Sequence, residues 1–261
     1  MKIPNPLLGL VEGGPAKMRL VLDRALDRLL PPTCVLCGAP GADGLDLCAG
    51  CLGDLPMNLR PCPRCAMPVP MATAGLVCGA CLSHPPPYQA SHIPYLYVDA
   101  IPGLVRGAKF HGRLNLTRLL GLCLARSLVQ METDRPEILI PVPLHPQRWR
   151  ERGYNQAQEM AQALSSRLAI PIDTQTCVRL HANRPQVGLE RDERRLNVRG
   201  AFGASRIIPA KHIAILDDVV TTGSTAAEVA RVLRQAGAER VDLWAVARAP
   251  GMDTGLGWSD A

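Results

Sequence analysis

Two rhythms of apolar and polar positions alternate along the last two thirds of the chain. IPYLYV (93–98), EILIPV (137–142), KHIAILD (211–217) and VDLWAVA (241–247) are short apolar runs of strand type. Between them, helical spacing predicts helices over about 113–131, 155–168 and 223–236. In the last of these, Ala226, Val229, Ala230 and Leu233 line one face and Gly237 can cap. PIDTQTCVRL (171–180) follows the second helix and leads into an arginine-rich stretch to 200. Such alternation predicts an α/β domain with a mostly parallel sheet covered on both faces. Near the start, MRLVLDRALDRLL (18–30) places Leu22, Ala25, Leu26, Leu29 and Leu30 on one helical face, which predicts a packing helix. No apolar run reaches the roughly 18 to 20 residues that span a bilayer, and the first thirty residues lack the order of a signal peptide. The expectation is a cytoplasmic chain with no membrane insertion.

Between these regions the periodicity disappears and cysteine takes over. Eight of ten cysteines fall in four CxxC pairs: Cys34/Cys37, Cys48/Cys51, Cys62/Cys65 and Cys78/Cys81. Without an export signal, metal binding is a better reading than disulfides. Each pair offers two thiolates from a tight turn, and two pairs complete the sulfur tetrahedron that zinc favours. Two zinc ions are expected, with sequential and interleaved pairing both open from spacing alone. All four ligands of each would come from protein, so the ions are structural, and metal binding would supply folding energy to a stretch too short for an ordinary core. Cys123 and Cys177 stand alone in apolar surroundings as core residues. SHPPPYQA (83–90) resembles a spacer, since three prolines exclude helix. The expected organisation is a lead-in over 1–32, a double zinc ribbon over 33–84, the α/β domain over 88–250 and a tail over 251–261.

Composition adds a bias in charge. Apolar residues make up 47% and charged residues 20%, enough for a sizeable core. Basic residues exceed acidic ones by 29 to 23, and lysine occurs only at 2, 17, 109 and 211, so arginine supplies most of the excess. Residues 145–199 hold ten arginines against six acids, which concentrates attraction for phosphate or carboxylate near the centre. Aromatics are only 3%, leaving little surface on which bases could stack.

ILDDVVTTGST (215–225) joins that charge bias to a specific chemistry. It sits where an apolar strand hands over to a helix, so unpaired N–H groups and the helix dipole can hold a phosphate. With no Gly-Lys-Ser/Thr ending and a single glycine, Gly223, it is neither a Walker loop nor a dinucleotide loop. A phosphate on 221–225 would repel Asp217 and Asp218, which must therefore face another part of the same ligand. Sugar hydroxyls, a magnesium ion or positive charge developing on the sugar would satisfy them. The plain structural alternative makes Thr221, Thr222 or Ser224 an N-cap and the acids an exposed strand end.

DDVVTTGST resembles the phosphoribosyl pyrophosphate motif of type I phosphoribosyltransferases. With the eight-cysteine front end, PVPLHPQRWRERGYNQA (141–157) and QVGLERDERRLNVRGAF (186–202), the chain is similar to the ComF family of competence and DNA-utilisation proteins, from the helix before Cys34 to about residue 247. The resemblance implies a type I phosphoribosyltransferase sheet behind a double zinc ribbon, with phosphoribosyl pyrophosphate and Mg2+ bound. It implies that Asp217 and Asp218 meet the ribose hydroxyls as catalytic residues, and that Thr221, Thr222, Gly223, Ser224 and Thr225 hold the 5′-phosphate. The loop with His145, Arg148, Arg152, Gly153, Asn155 and Gln156 would hold pyrophosphate. Residues 183–199, with Gln186, Arg191, Arg194, Arg195 and Asn197, would form a mobile cover. AKFHG (108–112) offers one further cation, Lys109, near a predicted strand-to-helix junction. The implied reaction displaces pyrophosphate from C1 of ribose, but no base for an acceptor can be identified. A second class therefore stands beside the enzyme: a non-catalytic, nucleic-acid-binding or regulatory adaptor of the DNA-uptake machinery, with single-stranded DNA or DNA-uptake proteins as partners.

Overall fold

The computed structural model describes residues 31–110, 112–129, 135–181 and 198–250. The helix expected at 18–30, the residues Gln186, Arg191, Arg194, Arg195 and Asn197 and the tail 251–261 lie outside the described residues. Two compact units meet in sequence between Asp54 and Leu55.

The first unit is built on a tight knuckle. The Cys34 N–H bonds Ala39 O at 2.7 Å, and the Gly38 N–H bonds Cys34 O at 2.9 Å. A short helix, α1 (Ala49–Gly53), begins at Cys48, whose sulfur accepts from the Cys51 N–H at 3.4 Å. The second unit opens with the same device: Cys62 N–H to Met67 O and Ala66 N–H to Cys62 O, both 2.8 Å, followed by α2 (Gly79–Ser83) after Cys78. The second four-cysteine group thus lies in the same compact unit as the sheet.

That sheet is parallel, in the order β1 (Ala90–His92), β7 (Arg240–Arg248), β6 (His212–Val220), β3 (Ile138–Pro141), with β2 (Tyr95–Leu96) also on β7. Ile172 adds a parallel bridge outside β3, to Leu139. β6 and β7 are apolar on successive residues because both faces are covered. Ile213 and Ile215 share a core with Ala226, Val229, Ala230 and Leu233 of α7 (Ser224–Gln235), the face read from the sequence. The remaining helices are α3 (Ala100–Phe110), α4 (Leu114–Val129), α5 (Pro146–Arg152) and α6 (Gln156–Leu168). α4 and α6 touch at Gly121, where a Cβ would stand 2.9 Å from Met160 O, so only glycine admits the approach. β4 (Cys177–Arg179) and β5 (Phe202–Ala204) form a separate antiparallel ribbon.

Three local expectations change. Of the run IPYLYV only Tyr95–Leu96 is strand (β2), while β1 ends just before it at His92; Pro94, with no N–H to give to β7, separates the two. α3 precedes the first helix that the apolar spacing predicts for the α/β domain; Pro102 falls in its first turn, where its missing N–H costs nothing. Lys109 consequently occupies the last turn of a helix rather than a strand-to-helix junction. The basic turn after β3 contains α5, with Pro146 at its first position and Gly153 closing it at φ 79°.

Candidate functional site

Cysteine geometry is compatible with one zinc ion per group. Cys34, Cys37, Cys48 and Cys51 form one cluster and Cys62, Cys65, Cys78 and Cys81 the other, each with its sulfurs within 4.8 Å of one another. The pairing is therefore sequential. A zinc ion about 2.3 Å from four tetrahedral sulfurs requires edges of about 3.8 Å. Cys37–Cys48 and Cys65–Cys78 give 3.7 Å. Burial opposes ionisation of Cys34, but N–H groups of Cys48, Cys37 and Leu36 outweigh it and bring the thiol down to about 6. Burial, with the charges of Cys62 and Cys78, pushes Cys65 up to about 11. A divalent ion resolves that conflict by compensating all four thiolates together, which is how zinc becomes folding energy.

The second site lies at the C-terminal ends of the parallel strands. From β3 the chain moves outward to Ile172 and later returns on the other side of β3 as β6, so the strand order reverses between β3 and β6. A crevice opens at such a reversal, and ligands of parallel α/β sheets bind there. The loop after β3 and the turn after β6 flank it.

On the β6 side, Asp217 Oδ1 accepts from the Asp218 N–H at 2.8 Å, and Asp218 Oδ1 accepts from the Val219 N–H at 2.7 Å. Lys109 Nζ lies 2.8 Å from Asp218 Oδ2. Burial works against the Lys109 ammonium, yet Asp218, with help from Asp217, more than reverses this and holds it above its ordinary value. Burial and then repulsion from Asp218 hold the Asp217 carboxyl well above the usual carboxylate range, with Lys109 opposing. The turn that follows places Gly223 at φ 79° in the N-cap position of α7, where it has no side chain to cap the helix. Instead Thr222 Oγ1 lies 2.8 Å from Ser224 Oγ and accepts from the Ser224 N–H at 3.3 Å. Thr221 is exposed, and Thr225 partly covered in the first turn of α7.

On the β3 side, several of the expected residues shape the loop. His145 Nδ1 accepts from the Gln147 N–H at 3.2 Å as the N-cap of α5. Asn155 caps α6 through Ala157 N–H at 3.0 Å and donates to Val142 O at 3.0 Å. Arg152 Nη1 donates to Gln156 Oε1 at 3.2 Å, while the Gln156 Nε2 is buried without a partner. Tyr154 Oη donates to Ala108 O, beside Lys109. Burial and the nearby Arg148 lower Arg152, and Asp218 opposes them, which puts Arg148, Arg152 and the acid pair within electrostatic reach.

Arg179, at the end of β4, is a member of this group that the sequence did not single out. Its guanidinium lies 5.2 Å from the Phe202 ring centroid, and its buried Nε has no hydrogen-bond partner. Burial and then Arg148 lower it, with Asp217 opposing. The signal available beforehand was its place in CVRL, a strand end directly before the arginine-rich stretch.

The class these features define is a protein with two cysteine-rich metal sites and a parallel α/β sheet bearing an acid pair and a Thr/Gly/Ser turn at its switch point. Comparison with known proteins narrows it. The family model described as "Double zinc ribbon domain" matches residues 25–82. The DNA utilization protein YhgH of Salmonella typhimurium is 33% identical over 224 residues, covering 84% of this chain and 98% of that protein. Competence protein F of Haemophilus influenzae is 34% identical over 211 residues, covering 78% and 90%. The chain belongs to this family of competence and DNA utilization proteins. A solved purine phosphoribosyltransferase from Pyrococcus horikoshii Ot3 is 15% identical with a TM-score of 0.30, covering 51% of this chain and 82% of that one, a likeness too slight to carry an argument. Among the described residues no helix is long and apolar enough to cross a membrane.

Proposed function

We propose that the crevice between β3 and β6 binds phosphoribosyl pyrophosphate with Mg2+, in the setting of DNA uptake or the use of DNA-derived nucleotides that the names of the relatives suggest. The observation that carries the reading is the division of labour along one strand and turn. Asp217 and Asp218 end up beside Lys109, while residues 221–225 present a helix start with glycine, Gly223, at the N-cap. A ribose lying across the acids with its 5′-phosphate in the turn uses both without conflict. Arg148 and Arg152 then face the pyrophosphate, where guanidinium forks suit its oxygens. His145, Gly153, Asn155 and Gln156 hold the loop that carries them, and Lys109 balances the acid pair.

An acid pair whose members repel each other is a hard-oxygen site suited to magnesium, and that ion, when bound, neutralises charge on the diphosphate. If transfer occurs, the C1–O bond breaks and its electron pair leaves with pyrophosphate. The positive charge left on C1 and the ring oxygen is steadied by the carboxylates, and the departing anion by the arginines. The acceptor's electron pair closes the new bond to C1. Calorimetry with phosphoribosyl pyrophosphate and magnesium tests the binding: wild type binds, whereas Asp217→Asn with Asp218→Asn keeps the circular dichroism of the fold and loses binding. Undiminished affinity in that variant refutes the reading.

A further inference from the structure

We propose that Arg248 is a positioning residue that couples the second four-cysteine site to the phosphate turn, so that metal at Cys62, Cys65, Cys78 and Cys81 governs ligand affinity in the crevice. The inference rests on the functional reading above. Arg248 ends β7 and is 3% exposed. Its Nε donates to Cys65 O at 3.0 Å, inside the metal knuckle. Its Nη1 donates to Val220 O at 2.8 Å and to Thr221 O, and reaches Ala249 O at 3.2 Å. One rigid, planar fork therefore spans the metal loop and the first peptides of the phosphate turn.

The direction of those carbonyls matters. In a trans peptide the C=O and the following N–H point to opposite sides, and the described chain has no cis bond. Carbonyls of Val220 and Thr221 drawn toward Arg248 turn the N–H groups of Thr221 and Thr222 away from it, and these are donors an anion in the turn requires. On the other side the knuckle is fixed as well. The Ser91 N–H of β1 donates to Pro63 O at 3.0 Å, and Asn58 Nδ2 donates to Ala66 O at 2.8 Å. Tyr88 and Ala66 share the buried core with Val220, and the Tyr88 hydroxyl stands 3.4 Å from where a Cβ on Gly223 would lie. The knuckle and the turn are thus joined by packing and by hydrogen bonds. The fork can hold both only while Cys65 O keeps its place, which the metal ensures by fixing the Cys65 sulfur.

Coupling between two sites is reciprocal, so the ligand must retain the metal by the factor with which the metal favours the ligand. The test follows zinc loss from the full chain to a chromogenic chelator, with and without saturating phosphoribosyl pyrophosphate and magnesium, alongside calorimetry. One of the two zinc equivalents is expected to leave more slowly with ligand, on the order of tenfold, and the other at an unchanged rate. In Arg248→Lys, which keeps the charge but loses the fork, ligand is expected to bind about tenfold more weakly and to leave zinc loss unaffected. Binding by wild type with neither equivalent slowed, or both slowed alike, overturns the coupling and leaves the function standing. Slowing that persists in Arg248→Lys overturns the role of Arg248. No binding by wild type overturns the functional reading, and the coupling with it.

Discussion

Replacing Lys109 by methionine keeps the side-chain stem and removes its charge. At the 2.8 Å separation of Lys109 and Asp218, the gross attraction is about 6 kcal/mol at an effective dielectric constant of about 20. Desolvation cancels much of that, and breaking a buried pair on one side costs about 3–5 kcal/mol, mostly for the charge left behind. The two side chains retain 26% and 12% of their exposure, so the lower end applies, and we predict a loss of about 3 kcal/mol at pH 8. The loss must depend on pH. Asp217 is already held above the carboxylate range with Lys109 opposing, and removing the ammonium paired with Asp218 raises its proton affinity further. The folded variant then binds more protons than the unfolded chain between the ordinary carboxylate value and the raised one, so its stability falls as pH rises through that window. At pH 5 the pair takes up a proton and the loss shrinks to about 1 kcal/mol, the scale of altered packing. Urea unfolding of both proteins at pH 5 and pH 8 measures this. An equal loss at both pH values would mean that the lysine contributes packing alone.

Gly223→Ala forces an L side chain to φ 79°, with its Cβ 3.4 Å from the Tyr88 hydroxyl. It should lower stability by about 1–2 kcal/mol and weaken phosphoribosyl pyrophosphate binding, read by thermal unfolding and calorimetry; unchanged values in both would show the turn to be indifferent to its shape. Cys48→Ser removes one sulfur from the first cluster, and metal analysis should fall from two zinc ions per chain to one, with loss of the fold of the front module. A folded variant that still carries two ions would show that this cluster does not depend on Cys48.

Much of this was legible because it is local. The four CxxC pairs, the strand at 212–220 and the helix at 224–235 each announce themselves within a dozen residues, and both the knuckles and the parallel strand–helix order follow. α3 was hidden because Pro102 and two glycines weaken its local signal, and the reason for one of them is distant: a Cβ on Gly107 would stand 2.5 Å from Leu116 Cδ1 of α4. Arg179 and Arg248 were hidden for another reason: each ends a strand, and what it does depends on groups far away in sequence. Nothing around position 248 says that its guanidinium will meet Cys65, since the two are joined only once β7 lies beside the knuckle. The same holds for Lys109 and Asp218, brought together by the end of α3 meeting the end of β6.

That ammonium on Asp218 also bears on what the crevice can attract from solution. A carboxylate already satisfied by a tethered amine is a poor trap for a solitary dication, so free magnesium should gain little by entering alone. The ion would travel in as the escort of a polyphosphate, and the lysine would swing from one anion to the other as they arrive.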